Sequence, residues 1–314
     1  MGLDSADSHH TTNALNPDPA GAVYPSDGVF HRTQVETANG PLRHNDAIAW
    51  RFEPRTMKME KYAPYGLVNP HGKVWDAWGD DILTNATSNG NYFGPAISGH
   101  LDNGDHPGIK DFWNRPSRPC PGTWMISSGL FPDDWQGNFL NCNVIGDQCI
   151  YRVKVSQDGS GLKGGTVEKL VYADPAELPT FRPICVSIGP DGALYFCDWS
   201  QTIIGHLQHH LRDPNRDHEH GRIYRITYNG RPLLTPPKID GQPIPALLEV
   251  LKARARTTRA NSRRSNSENM TARKSSGLRK RGRPGWTRTI RILNTTASKR
   301  CGFASGTMRS SPTC

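Results

Sequence analysis

Five of the chain's 12 histidines fall in GHLQHHLRDPNRDHEHGRIYR, residues 205–225: His206, His209, His210, His218 and His220. Neutral imidazoles are common ligands for zinc, iron and copper, so the cluster raises the question of a metal. Zinc needs several donors converging at roughly 2.0–2.3 Å, and no histidine pair here has a zinc-ligand spacing with cysteine or carboxylate support. The neighbours Arg212, Asp213, Asn215, Arg216 and Asp217 form a mixed-charge loop broken by Pro214, which returns to the strand-like GRIYRITYNG. The pattern predicts a long inter-strand excursion tied by Arg/Asp pairs, with no metal site, from which His209 or His218 could touch a ligand. The five of the chain's seven cysteines that lie before residue 253 (Cys120, Cys142, Cys149, Cys185 and Cys197) are equally sparing in motif. None stands in a C-x-x-C or C-x-x-C-H spacing, so they read as small buried residues with scope for one disulfide.

Positioning any such groups falls to short strands. Only 35% of residues are hydrophobic, while 31 glycines and 25 prolines punctuate the chain, a composition that favours many turns over long amphipathic helices. Four segments share a turn ending in glycine followed by a short apolar run: DPAGAVYPSDG, AWGDDILTNAT, DWQGNFLNCNV and PDGALYFCDWS. Their glycines, Gly21, Gly79, Gly137 and Gly192, recur every 55 to 58 residues. Near-constant spacing marks a repeat architecture in which each unit buries its faces against its neighbours. AIAWRF, CIYRVKV and RIYRITY alternate apolar and polar side chains as half-buried strands do, and GPDG, SQDGSG and TYNGRP supply turns between strands. The predicted fold is therefore all-β, a β-propeller, with a β-sandwich as the alternative. His9 to Leu15 leads straight into the first repeat with no room upstream for partner strands, which reads as an incomplete propeller of about four blades.

The net charge of +9 is unevenly placed. Residues 253–314 hold 16 Lys and Arg against the single acid Glu268, so this tail carries +15 and residues 1–252 carry −6. A nucleic-acid partner would rest on the tail alone. No run of about 20 apolar residues could span a bilayer. MGLDSADSHHTT has neither a basic nor an apolar leader segment, so the chain as written reads as cytoplasmic.

The stretches SHHTTNAL, GVFHRTQVET, YGLVNPHGKVWDAWG, RPCPGTWMISSGLFPDDWQGNFLNCNVIG, FRPICVSIGPDGALYFCDWS and GHLQHHLRDPNRDHEHGRIYRITYNGRPLLTPPKI cover residues 1 to about 252. In them the chain resembles the six-bladed propellers of the soluble quinoprotein glucose and sorbosone dehydrogenase superfamily, and more closely the bacterial membrane-bound dehydrogenase family. In that family the propeller precedes helical repeats and a c-type haem domain, and a periplasmic or cell-envelope location is implied for full-length relatives. The resemblance implies a quinone-dependent oxidation of a sugar or alcohol with pyrroloquinoline quinone as cofactor. A histidine of an H-x-x-G-x-L type motif would take the hydroxyl proton while hydride passes to the quinone. His10 in His10-Thr11-Thr12-Asn13-Ala14-Leu15 is the best match, with His9 beside it as fallback. The family's Arg-Asn-Pro cofactor segment reads Val68-Asn69-Pro70-His71 here, so Asn69 carries over and the arginine does not; His71 joins the channel-face candidates. Arg182 stands where relatives place a second cofactor-contacting arginine, while Asp198 and Trp199 either face the channel or cap a turn. The family's calcium loop has no counterpart in NATSNGNYF, and this chain has no haem motif. These departures leave a second expectation open, a non-catalytic propeller scaffold that binds a carbohydrate or a protein.

After PALLEVLK the composition changes abruptly. Read in another frame, the same stretch regains acidic residues and helix periodicity resembling the family's helical repeats. The expected organisation is a partial propeller over residues 1–246, then a linker and an unstructured, frame-shifted basic tail over 247–314.

Overall fold

The computed structural model describes residues 2–5, 10–64, 68–87, 91–94, 111–119, 121–159, 161–202 and 213–252. His9, His206, His209, His210, Cys120 and the whole of 253–314 lie outside these, and the frame-shift expectation lies there with them.

The chain is mostly β, and among the described residues it forms four successive antiparallel sheets that correspond to blades. The first sheet takes β1 (Asn13–Pro17), β2 (Val23–Asp27), β5 (Ile48–Glu53) and β6 (Lys58–Ala63) in that order, with the hairpin β3 (Arg32–Thr37) and β4 (Gly40–Asn45) inserted between its second and third strands. The second is β7 (Pro70–Trp75), β8 (Asp81–Asn85) and β9 (Asn91–Gly94). The third is β10 (Thr123–Met125), β11 (Phe139–Asn143), β12 (Cys149–Asp158) and β13 (Gly161–Tyr172). The fourth is β14 (Pro183–Ile188), β15 (Leu194–Asp198) and β16 (Arg222–Ile226). Every pairing is antiparallel and joins neighbours in the chain, except that β2 pairs with β5 across the inserted hairpin. β2, β5 and β6, the other strands of β1's sheet, all follow it in the chain.

First strands touch in succession, β1 on β7, β7 on β10 and β10 on β14, as strands around a common axis do. The cores lie between sheets rather than within one. Val74 and Ile82 of the second sheet pack with Phe139, Tyr151 and Val153 of the third. Leu140, Cys142 and Ile150 of the third pack with Val186, Leu194 and Phe196 of the fourth. Between the first two sheets the Lys73 ammonium is fully buried, 4.8, 4.4 and 4.9 Å from the ring centroids of Tyr24, Tyr62 and Trp75, and bonded to Asp81. A charge enclosed this way is tolerable because carboxylate and ring faces replace its water.

The repeat glycines have one structural meaning. Gly21, Gly79, Gly137 and Gly192 have φ of +97°, +91°, +71° and +81°, and each lies two residues before its sheet's second strand. That left-handed conformation is cheap only for glycine, which closes the first turn of every blade. Six residues after each glycine comes the last residue of that second strand: Asp27, Asn85, Asn143 and Asp198, all at most 2% exposed. The repeating unit is thus a turn glycine at one end of the strand and a buried Asp or Asn at the other.

A helix covers residues 244–252, on both sides of the expected junction at residue 246 between propeller and linker. Pro243 accepts from the N–H groups of Ala246 and Leu247 at its start, and ALLEVLK consists of good helix formers apart from Val250.

Candidate functional site at the strand-start end

Antiparallel alternation decides which residues can meet. The glycine turns occupy one end of the sheets; the starts of the first strands and the ends of the second strands occupy the other. His10, Asn69, His71, Arg182, Asp198 and Trp199 all belong to this second end. Their local roles differ.

In the fourth sheet, Arg182 directly precedes β14, and its N–H donates to Asp198 Oδ1 at 2.7 Å. The same oxygen accepts the N–H of Ser200 at 2.8 Å, and Asp198 Oδ2 meets Arg222 Nε at 2.8 Å. Burial raises the Asp198 carboxyl above its usual range, while these N–H groups and Arg222 pull it back. Oδ1 is therefore committed to the blade's own turn, and Oδ2 to the ion pair with Arg222 of β16. The Trp199 N–H donates to the Arg182 carbonyl at 2.9 Å, and Arg182 Nε donates to the Gln201 carbonyl at 3.0 Å. Burial lowers the Arg182 guanidinium from its ordinary value, and Asp198 opposes that. The buried side-chain atoms of this cluster with no hydrogen-bond partner include the donor Arg182 Nη1 and the acceptor Gln201 Oε1. Trp199 is half-buried, and the Arg216 guanidinium carbon lies 5.6 Å from its ring centroid.

The described part of the histidine loop forms the rim here. Gln201 Nε2 donates to the Asp217 carbonyl, Asp213 Oδ1 accepts from the N–H of Asn215 at 2.9 Å, and Asp217 Oδ1 accepts from those of Glu219 and His220 at 3.0 Å. His218 is exposed, with Nε2 3.4 Å from the Asp213 carbonyl. The fallback base His9 and the candidate His209 lie outside the described residues.

In the second sheet the same design recurs with neutral groups. The Asn69 N–H donates to Asn85 Oδ1 at 2.9 Å, the Ala86 N–H donates to the Asn69 carbonyl at 2.7 Å, and Asn69 Nδ2 bonds Thr87 Oγ1. Arg115 closes over this turn, bonding the Asn85 carbonyl and, at 2.8 Å, that of Thr87. His71 follows at the start of β7; its carbonyl accepts Thr84 Oγ1 at 2.7 Å, its ring bonds the Pro121 carbonyl, and burial pushes its imidazole below the ordinary value.

In the first sheet Asp27 is fully buried. It accepts Thr12 Oγ1, Thr33 Oγ1 at 2.7 Å and Trp50 Nε1 at 2.9 Å, with His31 Nδ1 3.7 Å away. His10 lies beside it at 8% exposure; its carbonyl accepts the Gly28 N–H at 3.1 Å and its ring meets Phe30 edge-on at 5.7 Å. His31, just ahead of the inserted hairpin, and His44, in its second strand, are 1% and 5% exposed, and no sequence motif marks them. Burial, then Lys61, lowers the His44 imidazole.

Among the described residues no group of three or more His, Cys, Asp or Glu side chains could hold a metal, and no helix is long and apolar enough to cross a membrane. A shallow cleft of about 380 Å³ near Arg225, Tyr228 and Arg231 sits at the opposite, glycine-turn end, where the two arginines bond Asp191 and Asp133.

Pyrroloquinoline quinone is a tricarboxylate and needs cations. Val68 supplies none, Arg115 is committed to two carbonyls and Arg222 to Asp198, Arg216 lies against the Trp199 ring, and Arg182 bonds the Gln201 carbonyl through Nε. Among the described residues this donor set does not fit the quinone, and no redox step is derived through it.

Residues 110–230 match the family profile of a domain of unknown function, DUF7133. No curated protein matches. Among solved structures the chain is similar to one assigned as a gluconolactonase (13% identity, 62% of this chain and 58% of that one, TM-score 0.37). It is also similar to virginiamycin B lyase from Staphylococcus aureus (15% identity, 75% and 73%, TM-score 0.36) and to a glucose dehydrogenase (14% identity, 60% and 78%, TM-score 0.36). The chain thus spans less than two thirds of the length of the gluconolactonase-assigned structure.

Proposed function

We propose that the chain is a non-catalytic binding propeller whose ligand is a hydroxyl-rich small molecule of the sugar or alcohol class, held at the strand-start end of the fourth sheet. The observation that carries the reading is that one turn, in which Arg182 Nε bonds the Gln201 carbonyl and the Trp199 N–H bonds the Arg182 carbonyl, holds two buried polar atoms without a hydrogen-bond partner, Arg182 Nη1 and Gln201 Oε1. Buried donors and acceptors without partners cost free energy, and a sugar hydroxyl both donates and accepts, so one such group satisfies both atoms. The indole supplies the apolar face on which a pyranose ring rests.

The test is calorimetric titration of the whole chain with glucose, sorbitol and gluconate. Binding that weakens at least tenfold in Arg182→Gln and in Gln201→Leu supports the reading, in keeping with the roughly 1.5–3 kcal/mol of a charge-assisted hydrogen bond. No heat with any of the three, or equal binding by both variants, overturns it.

A quinone-dependent sugar or alcohol dehydrogenase is the second reading, favoured by the position of His10 directly ahead of β1 at the same end. Dye-linked oxidation of glucose with added pyrroloquinoline quinone, abolished in His10→Ala, would replace the first reading by this one.

A further inference from the structure

Cys185 and Cys197 stand directly opposite one another in the β14–β15 ladder. Facing residues in an antiparallel pair have Cα atoms roughly 4.5–5.5 Å apart, inside the roughly 4.4–6.8 Å that a disulfide spans. The ladder shifts register between Pro183 and Cys185, and such a bulge re-aims the side chains beside it. Both thiols are free, Cys185 exposed and Cys197 half-buried. We propose that Cys185 and Cys197 form a redox-active cross-strand dithiol, a modification site in which Cys185 attacks small-molecule disulfides and Cys197 resolves the product.

The chemistry balances as two successive exchanges. The Cys185 thiolate attacks one sulfur of a disulfide RSSR; the RS–SR bond breaks, a Cys185–SR mixed disulfide forms and RS⁻ leaves. Cys197 then gives up its proton and attacks Cys185 Sγ, which releases the second RS⁻ and closes the Cys185–Cys197 bond. Two protein thiols are oxidised by two electrons, and RSSR is reduced to two thiols that take up the two protons.

The two sulfurs are unequal in the way this order requires. The Cys197 thiol donates to Cys185 sulfur and holds the Cys185 thiol down at about 6, while the same bond and burial push Cys197 up. Near pH 7 Cys185 is then mostly thiolate, on the order of 30 times more than an ordinary cysteine. Cys142 and Cys149 are buried in the inter-sheet cores and do not compete. The pair also adjoins the site already described: Cys197 is next to Asp198, and Cys185 is three residues from Arg182. The inference does not depend on a sugar being the ligand there.

The test is incubation of the folded full chain with oxidised glutathione near pH 7, followed by peptide mapping. The expected product in the native chain is a Cys185–Cys197 cross-link. Cys197→Ala should instead trap glutathione on Cys185, and its alkylation by iodoacetamide near pH 7 should slow by about tenfold because the donor to the thiolate is gone. If Cys197→Ala fails to fold, the pH profile of Cys185 alkylation in the unmodified chain decides, with a midpoint near 6 expected. Two free thiols after incubation, cross-links to other cysteines instead, or an alkylation midpoint near 8.5 overturn the proposal. Sugar titrations read a different residue set, so either proposal can fail alone.

Discussion

The Arg182 N–H donates to Asp198 Oδ1 across the first hairpin of the fourth blade, and the Asn69 N–H donates in the same way to Asn85 Oδ1 in the second. One position before the first strand is thereby locked to one position at the end of the second. The charged version carries more, because Asp198 also pairs with Arg222 in a site 2% exposed. Asp198→Ala leaves Arg222 and two N–H groups without their acceptor, so a loss of about 3–5 kcal/mol is expected in urea unfolding. Asp198→Asn keeps an oxygen at the Oδ1 position and should lose less than half of that. Equal losses in the two variants would show that the turn bond is not the main contribution.

Lys73 gives a pH signature. Burial lowers its ammonium to about 8 from 10.5, with Asp81 opposing. Between these values the unfolded chain binds more protons than the folded one, so stability rises with pH through this window and is flat below about 8 on this group's account. The full gain is at most about 3 kcal/mol. Tyr24, pushed up to about 12 by burial, acts in the opposite direction above pH 10, where the unfolded chain ionises first. Urea midpoints should therefore climb between pH 8 and 10 and then fall. Lys73→Met should abolish the climb while leaving the fall.

Much of the frame was visible in the sequence because glycine at positive φ has no substitute. The four turn glycines mark the four blades, and AIAWRF, CIYRVKV and RIYRITY all fall on strands, in β5, β12 and β16. The acidic or amide residue six positions on was not recognised. Asp and Asn share a shape rather than a letter, and their common role emerges only once strand ends are aligned. His31 and His44 carry no motif because contacts across the inserted hairpin bury them. The Cys185–Cys197 pair is likewise a product of register, since a separation of 12 residues says nothing without it.

Close approach between blades can be tested at Gly122. A Cβ there would lie 2.5 Å from Cys185 Cα and 2.5 Å from the Ile184 carbonyl oxygen, both backbone atoms of the next sheet's first strand. Neither can rotate away, so β10 and β14 would have to separate. Gly137→Ala is the contrast: φ is +71°, but nothing lies within 4 Å of the new methyl group. The expected costs are more than about 3 kcal/mol at Gly122, with loss of the inter-sheet core, and about 1–2 kcal/mol at Gly137 from backbone strain alone. Thermal unfolding of the two variants side by side measures the difference.

Asp27 separates a structural from a chemical role for His10. Its carboxylate gathers Thr12 from the segment before β1, Thr33 from the inserted hairpin and Trp50 from β5. Asp27→Ala removes three acceptor contacts at a fully buried position, so about 3 kcal/mol should be lost and Trp50 emission should shift as its indole N–H loses its partner. His10→Ala leaves these bonds in place and removes one edge-on ring contact with Phe30, worth about 1 kcal/mol. If His10 serves chemistry, its substitution abolishes a quinone-dependent activity while the unfolding midpoint barely moves. If it serves the fold, the midpoint falls as far as in Asp27→Ala, because His10 would then be part of the same buried network.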